Sequence, residues 1–274
     1  MKNLFVFLVL AIVCFKFTYS QQEIDKNPIL TDKFHIDAGA FFPAKKVKFG
    51  ADASSPNDLI NFSDSFDFND NEITPYLKFD WRFAKKWKLT GEFFRIINAQ
   101  KAELKEDVVF EDIIFKQGTF VRAGFGFNLY RVYVGRSFSR GFKHEFGGGI
   151  GVHALNTTAF IEGEVLVNEE DFVFEKRKVS ALLPLPNIGL WYYYTPNAKW
   201  TLVASVDWFA ITIGEYSGGL LDIVPGIKYQ VFKNIGIGLD YRYFNVYAKL
   251  DQSNWKGKFD MSFQGPMVSI NANF

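Results

Sequence analysis

Along much of the chain apolar and polar residues alternate with a period of two. From Ile73 to Phe83 the odd positions are apolar or Pro, while Tyr76, Lys78, Asp80 and Arg82 fill the even ones. That is the signature of a strand with two unlike faces. A short basic turn, Ala84-Lys85-Lys86, leads into a second run in which Trp87, Leu89 and Phe93 oppose Lys88, Thr90 and Glu92, so the two read as a hairpin. The alternation returns in Trp200 to Trp208, Leu221 to Val231 and Ile235 to Tyr243. Strands are predicted at 34–42, 73–83, 87–97, 118–137, 144–155, 173–194, 199–213, 219–232, 235–250 and 256–274. Ten strands is an even count, as single-chain bacterial barrels have. Eight or twelve stay open, because the charge-rich stretches 98–117 and 156–180 read equally as strand extension or loop.

The two faces identify the surroundings. A soluble sandwich would place Lys, Glu, Thr and Ser opposite its core. Here the second face carries Gly, Asp, Arg, Tyr and Asn, the small and charge-balanced set of a narrow polar lumen. Trp81 and Trp87 beside one turn, and Trp191 to Tyr194 with Trp200 beside another, read as interfacial aromatic girdles. The fold class is therefore all-β: a transmembrane, antiparallel, up-and-down β-barrel. Short connections at 84–86, 139–143, 195–198 and 233–234 alternate with long ones at 43–71, 97–118 and 156–172, which puts short turns and both termini on the periplasmic side and long loops outside.

The first residues bear on compartment. Met1-Lys2-Asn3 precedes an apolar run from Leu4 to Phe15, too short for a membrane helix, and Ser20 supplies a small residue before Gln21-Gln22. Residues 1–20 read as a secretory signal peptide, and 21–274 as a single barrel domain. The one cysteine, Cys14, falls within that signal, leaving neither disulfide nor thiol chemistry downstream. Composition agrees: aromatic residues reach 18%, and 31 Lys and Arg balance 30 Asp and Glu. There is no basic field to attract nucleic acid.

Candidate chemistry is sparse. The inward phase collects Asp37, Lys78, Asp80, Arg82, Lys88, Glu92, Arg122, Asp207, Lys228, Asp240 and Arg242, a near balance of signs read as a salt-bridged lumen filling or, alternatively, the lining of a selective pore. Alternating signs on neighbouring strands, Asp207, Lys228 and Asp240 with Arg242, are expected to satisfy one another. Of the three histidines, His35 and His144 lie at the periplasmic end and His153 near the outer end. No nucleophile motif accompanies His153, so a rim hydrolase is the weaker reading. His35 with Asp37 is too few ligands for a metal, and no metal or cofactor is expected. The glycines of Gly147-Gly148-Gly149-Ile150-Gly151 make room in the lumen and are not a phosphate loop, since a strand follows. Acidic residues at Asp64, Asp67, Asp70 and Glu72 read as a solvated loop or as a divalent-cation contact to lipopolysaccharide.

The segment from Val268 to the terminal Phe274 alternates and ends in Phe, which resembles the assembly signal of outer-membrane barrels. Together with Pro184-Leu185-Pro186-Asn187, Gly214-Glu215-Tyr216-Ser217-Gly218-Gly219, Gly236-Ile237-Gly238-Leu239-Asp240-Tyr241-Arg242 and Gln264-Gly265-Pro266, it resembles a widespread family of bacterial outer-membrane β-barrels of OmpA and OmpW-type architecture. The likeness covers 184–274 well and the N-terminal half in outline. It implies location in the outer membrane of a Gram-negative bacterium, membrane lipid and lipopolysaccharide as surroundings, and the barrel-assembly machinery as a partner through Phe274. It implies no activity. The expected role is a structural or interaction protein with a closed lumen, the alternative a small pore for polar solutes.

Overall fold

In the computed structural model residues 26–51, 60–61, 73–104, 108–110, 113–167, 171–251 and 256–274 are described. The expected signal peptide and the acidic residues at 64–72 lie outside them. A short helix, α1 (Pro28–Thr31), precedes the strands β1 (Phe34–Phe41), β2 (Ala44–Ala51), β3 (Ile60–Asn61), β4 (Thr74–Ala84), β5 (Trp87–Glu103), β6 (Val108–Phe110) and β7 (Ile113–Phe115). There follow β8 (Phe120–Arg140), β9 (His144–Val167), β10 (Asp171–Tyr194), β11 (Trp200–Ile213), β12 (Tyr216–Gln230), β13 (Ile235–Asp251) and β14 (Lys256–Asn273). Ten of these, β1, β4, β5 and β8 to β14, pair antiparallel in chain order. The ring closes where β1 meets β14, His35 facing Asn273 and Phe41 facing Met267. Closure gives each strand of the ring a hydrogen-bonded neighbour on both sides, which a sheet in lipid requires. β2 continues above β1 on the upper part of β14, β3 pairs with β2, and β6 and β7 form a separate hairpin.

The outer surface is the apolar face of the alternation. Leu77, Trp81, Val132, Ile150, Leu190, Leu202, Ile237, Leu239 and Ile270 all stand exposed there, a belt far larger than water tolerates and suited to hydrocarbon. Two members of the expected girdle do not belong to it. Trp191 and Tyr193 point inward and are buried, while Tyr192 and Tyr194 face out; in a strand four consecutive aromatics must divide between the faces.

A tilted strand needs about 9–11 residues to cross a membrane, yet β9 and β10 each run 24 residues. The stretch 156–172, read as a loop, is largely strand: Asn156 pairs with Leu182, and Val167 with Asp171. The barrel wall thus continues well beyond the lipid. Out there the pattern inverts. On β8 the buried positions are Val121, Ala123, Phe125, Phe127 and Leu129, and Asn128 and Arg122 sit on the outside; within the membrane Arg131 and Tyr133 are inside while Val132 and Val134 are outside. A wall with water outside is polar outside and can be apolar within.

Candidate functional site

The lumen is filled in three tiers. At the end that carries the short turns α1 lies across the opening. Asn27 caps it, its side-chain oxygen accepting from the Ile29 amide at 3.1 Å and its amide donating to the Ala198 carbonyl at 2.9 Å. Pro28 at the first turn suits a helix start. Ile29 and Leu30 pack on Tyr133, Trp191 and Tyr193. Arg82 donates to the Ile29 carbonyl at 2.8 Å and to Glu145 at 2.8 Å. Glu145, fully buried, also accepts from Ser137 at 2.8 Å and the Trp191 indole at 3.3 Å. Room for that indole comes from Gly147 and Gly135, where a Cβ would run into the Trp191 ring.

The middle tier is ionic. Lys88 donates to the Tyr193 hydroxyl at 3.0 Å, lies 4.0 Å over the Trp191 ring and pairs with Asp80 at 3.8 Å; Asp80 also meets Lys78 at 4.0 Å and accepts from Thr90. Lys228 on β12 crosses to Asp37 on β1 at 2.6 Å. Arg131 forks onto Asp207 at 2.5 and 3.0 Å. Arg242 grips Asp222 through Nε at 2.9 Å and through Nη2, and its third nitrogen donates to Glu92 on the opposite wall. Between the two aspartates stands His153, its Nε2 3.6 Å from Asp207 and 3.5 Å from Asp222, with Nδ1 3.1 Å from Asn187. A cavity of about 60 Å³ bordered by Asp37, Lys78, Asp207, Lys228 and Asn271 holds a few waters at most.

The third tier is apolar. Phe41, Phe94, Phe127, Phe244 and Phe263 are fully buried with ring centroids 4.9–6.1 Å apart, and Leu129, Leu155, Ile161, Leu220 and Met261 complete the layer. Arg242 lies directly beneath, its guanidinium carbon 4.7 Å from the Phe94 centroid.

Of the lumen residues read from sequence, Asp37, Lys78, Asp80, Arg82, Lys88, Glu92, Asp207, Lys228, Asp240 and Arg242 face this interior. Arg122 does not. It stands on the outer face above the membrane, paired with Glu162 at 2.8 Å, which Lys176 also meets at 2.8 Å. The pattern inversion explains the error, since a polar residue in that part of β8 faces out. The pairing follows expectation in part: Arg242 holds Asp222 and Lys88 meets Asp80 between neighbouring strands, while Lys228–Asp37, Arg131–Asp207 and Arg242–Glu92 join strands that are not neighbours, and Asp240, two residues from Arg242, has a buried Oδ1 without a hydrogen-bond partner. His153 is fully buried at mid-height, not near the outer end. Sequence reading missed Arg131, Glu145, His153 and Asp222 as members of the network. Asp222 shares its phase with Lys228, so that signal was present; Arg131 was hidden by the phase change near Tyr130.

His153, Asp207 and Asp222 offer three ligand atoms within 4.8 Å of one another. Their geometry alone would suit a divalent ion. Both carboxylates, however, are already held by arginines, and a cation placed between Arg131 and Arg242 would face two fixed positive charges. The two arginines already occupy the carboxylates: Arg131 holds Asp207, and Arg242 holds Asp222 and Glu92. Chemically, the tier is a lock.

No family model and no curated protein matches this chain. Among solved structures the fold is similar to the outer-membrane protease OmpT from Escherichia coli, with a TM-score of 0.56 and 11% identity over 93% of this chain and 100% of that one. Looser matches are the outer-membrane protein OprG from Pseudomonas aeruginosa (TM-score 0.34, 15% identity, 92% of this chain and 99% of that one) and the attachment invasion locus protein Ail of Yersinia pestis (0.28, 11%, 86% and 98%). At such identities the likeness is one of fold: this is an outer-membrane-type β-barrel.

Proposed function

We propose that the protein is a non-conducting barrel of the Gram-negative outer membrane, acting as a structural and interaction element there. The observation that carries this reading is the closed cross-section: an ion-pair tier capped by a layer of interlocked phenylalanines, with α1 across the other end. The phenylalanine layer fills the cross-section above the ion pairs, and a conducting porin needs a continuous water path. The strands that rise beyond the lipid give the protein a surface outside the cell, with lipopolysaccharide around it. Export through residues 1–20, and delivery to the assembly machinery through Phe274, belong to the same reading. His153 sits beneath the phenylalanines and out of reach of an external substrate, which argues against a rim hydrolase.

Planar-bilayer recording tests the proposal. The unmodified protein is expected to show no steady conductance, and removal of α1 alone is expected to leave it silent because the phenylalanine layer remains. Phe94→Ala with Phe127→Ala in the α1-deleted protein should open small channels. Steady large conductance in the unmodified protein would establish the pore reading instead.

A further inference from the structure

Charge is balanced over the whole chain but unevenly placed in the barrel. Every short turn carries an exposed lysine: Lys85 and Lys86 between β4 and β5, Lys143 between β8 and β9, Lys199 between β10 and β11, and Lys233 between β12 and β13. Among the described residues none of these lysines is in an ion pair. The described acids at this end offer them little. Glu145 is fully buried and held by Arg82 and Arg140, and Asp32 accepts from the Thr31 hydroxyl at 2.9 Å.

The turns begin where the aromatic girdle ends. Trp87, Phe138, Tyr194, Trp200 and Phe232 stand exposed beside them, the place of aromatic rings at a membrane interface. One further cation lies in the wall itself. Arg136 belongs to the outward phase of β8, between the exposed Val134 and Phe138, and faces Trp87 in the β5–β8 register. A guanidinium on a lipid-facing strand runs its stem along hydrocarbon and lifts its head to the interface. Two turns are joined at this point: the Ser137 amide donates to the Lys86 carbonyl at 2.7 Å, and the Arg140 guanidinium to the Lys85 carbonyl at 3.0 Å. Lys85, Lys86 and Arg136 therefore share one sector of the rim. Beside an interfacial girdle lie lipid headgroups, and the group there that unpaired cations attract is phosphate.

We propose that the short-turn rim is a binding surface for anionic phospholipid headgroups, with its strongest contact at Lys85, Lys86 and Arg136. The inference rests on reading the chain as an outer-membrane barrel, whose short turns face the phospholipid leaflet. Phosphatidylglycerol is preferred to phosphatidylcholine because no ammonium compensates its phosphate. Each cation near an anionic surface contributes roughly a fivefold preference at low salt, which screening removes. A ring of such contacts pins the turn end of the barrel in its leaflet.

Tryptophan fluorescence reads the lipid beside this rim. In a chain carrying Trp208→Phe and Trp255→Phe, the exposed tryptophans are Trp81, Trp87 and Trp200, all at the short-turn end, and Trp191 is buried. The protein is reconstituted into phosphatidylcholine vesicles, and quenching by bromine-labelled phosphatidylglycerol is compared with quenching by bromine-labelled phosphatidylcholine. At about 10 mM salt, where the Debye length is about 30 Å, a several-fold preference for phosphatidylglycerol is expected. It should fall towards parity at about 1 M salt, where that length is about 3 Å. Lys85→Gln, Lys86→Gln and Arg136→Gln together should bring the ratio close to parity. Lys101→Gln with Lys178→Gln, exposed at the far end of the wall, should leave it unchanged. Equal quenching in a folded barrel, or a preference that survives the triple variant, would overturn the proposal alone. A parent protein that never shows heat-modifiable migration would overturn the barrel reading and the rim with it. Binding to purified peptidoglycan that the triple variant loses, without any preference for phosphatidylglycerol, would overturn it too and assign the rim to the cell wall.

Discussion

Replacing Arg242 by Met keeps most of its volume and removes its charge, which isolates what the guanidinium contributes. Arg242 is fully buried and holds two carboxylates, Asp222 by two nitrogens and Glu92 by the third. Asp207 lies opposite Asp222 in the β11–β12 register, so the variant leaves three acids facing one arginine and an imidazole. Breaking a buried pair by removing one partner costs about 3–5 kcal/mol, and the lost contact with the Phe94 ring adds about 1 kcal/mol. The expected loss is therefore about 4–6 kcal/mol, less whatever water entering the small cavity returns. Urea unfolding from lipid vesicles, followed by tryptophan fluorescence and by heat-modifiable migration, measures it. Asp222→Asn and Glu92→Gln combined with Arg242→Met remove the stranded charges and should recover most of the loss, a coupling of roughly 1–3 kcal/mol per pair. A loss below about 1 kcal/mol for the single variant, or strict additivity across the set, would show that the network is solvated and that the lock does not exist.

Three further outcomes are expected. Asp240→Asn should raise stability by roughly 1 kcal/mol, since the carboxylate is buried with an unpartnered oxygen, and should show no coupling to Arg242→Met in the same unfolding assay. Gly147→Val should cost about 1–3 kcal/mol by driving a side chain into the Trp191 ring, with Trp191→Leu in the same chain relieving part of the loss. Outside the membrane, hydrogen bonds from Lys176 and Arg122 hold the Glu162 carboxyl below its ordinary value of 4.5. This stabilising contribution is therefore full above that value and fades as pH falls through the lowered one. Hydrogen-exchange protection in the outer parts of β8 to β10, taken relative to the intrinsic amide rate at each pH, should fall on acidification in the unmodified protein and stay constant in Glu162→Gln.

The strands within the membrane were legible because hydrocarbon outside and charge inside impose opposite chemistry on successive residues. Ile235 to Tyr243 shows this cleanly, with every odd residue out and every even one in. The same rule misled wherever the surroundings changed. Arg122 and Glu162 are polar because water is outside them, and Phe125 and Phe127 are apolar because the barrel interior has become a phenylalanine layer; no residue type announces that exchange. Which acid meets which base was also beyond the sequence. Lys228 finds Asp37 across 191 positions, a contact fixed by the curvature of the whole ring, whereas strand neighbours such as Asp207 and Asp222 carry the same sign.

The junction of β1 with β14 governs how the molecule comes into being. His35 meets Asn273 across 238 positions, Phe34 and Phe274 exchange backbone hydrogen bonds of 2.9 Å, and Lys33 donates to the Phe274 carbonyl at 2.8 Å. A contact of such sequence separation incurs its loop-closure entropy before it returns any stabilisation. Until it forms, the growing sheet has two unpaired edges, and the inward charges have no far wall on which to find partners. Acquisition of the native state should accordingly be close to all-or-none: a chain that has laid down nine strands is not nine-tenths folded. The last seven residues of β14 then act as a latch, and the rate at which they reach β1 sets the time for which the nascent protein is exposed to misassociation.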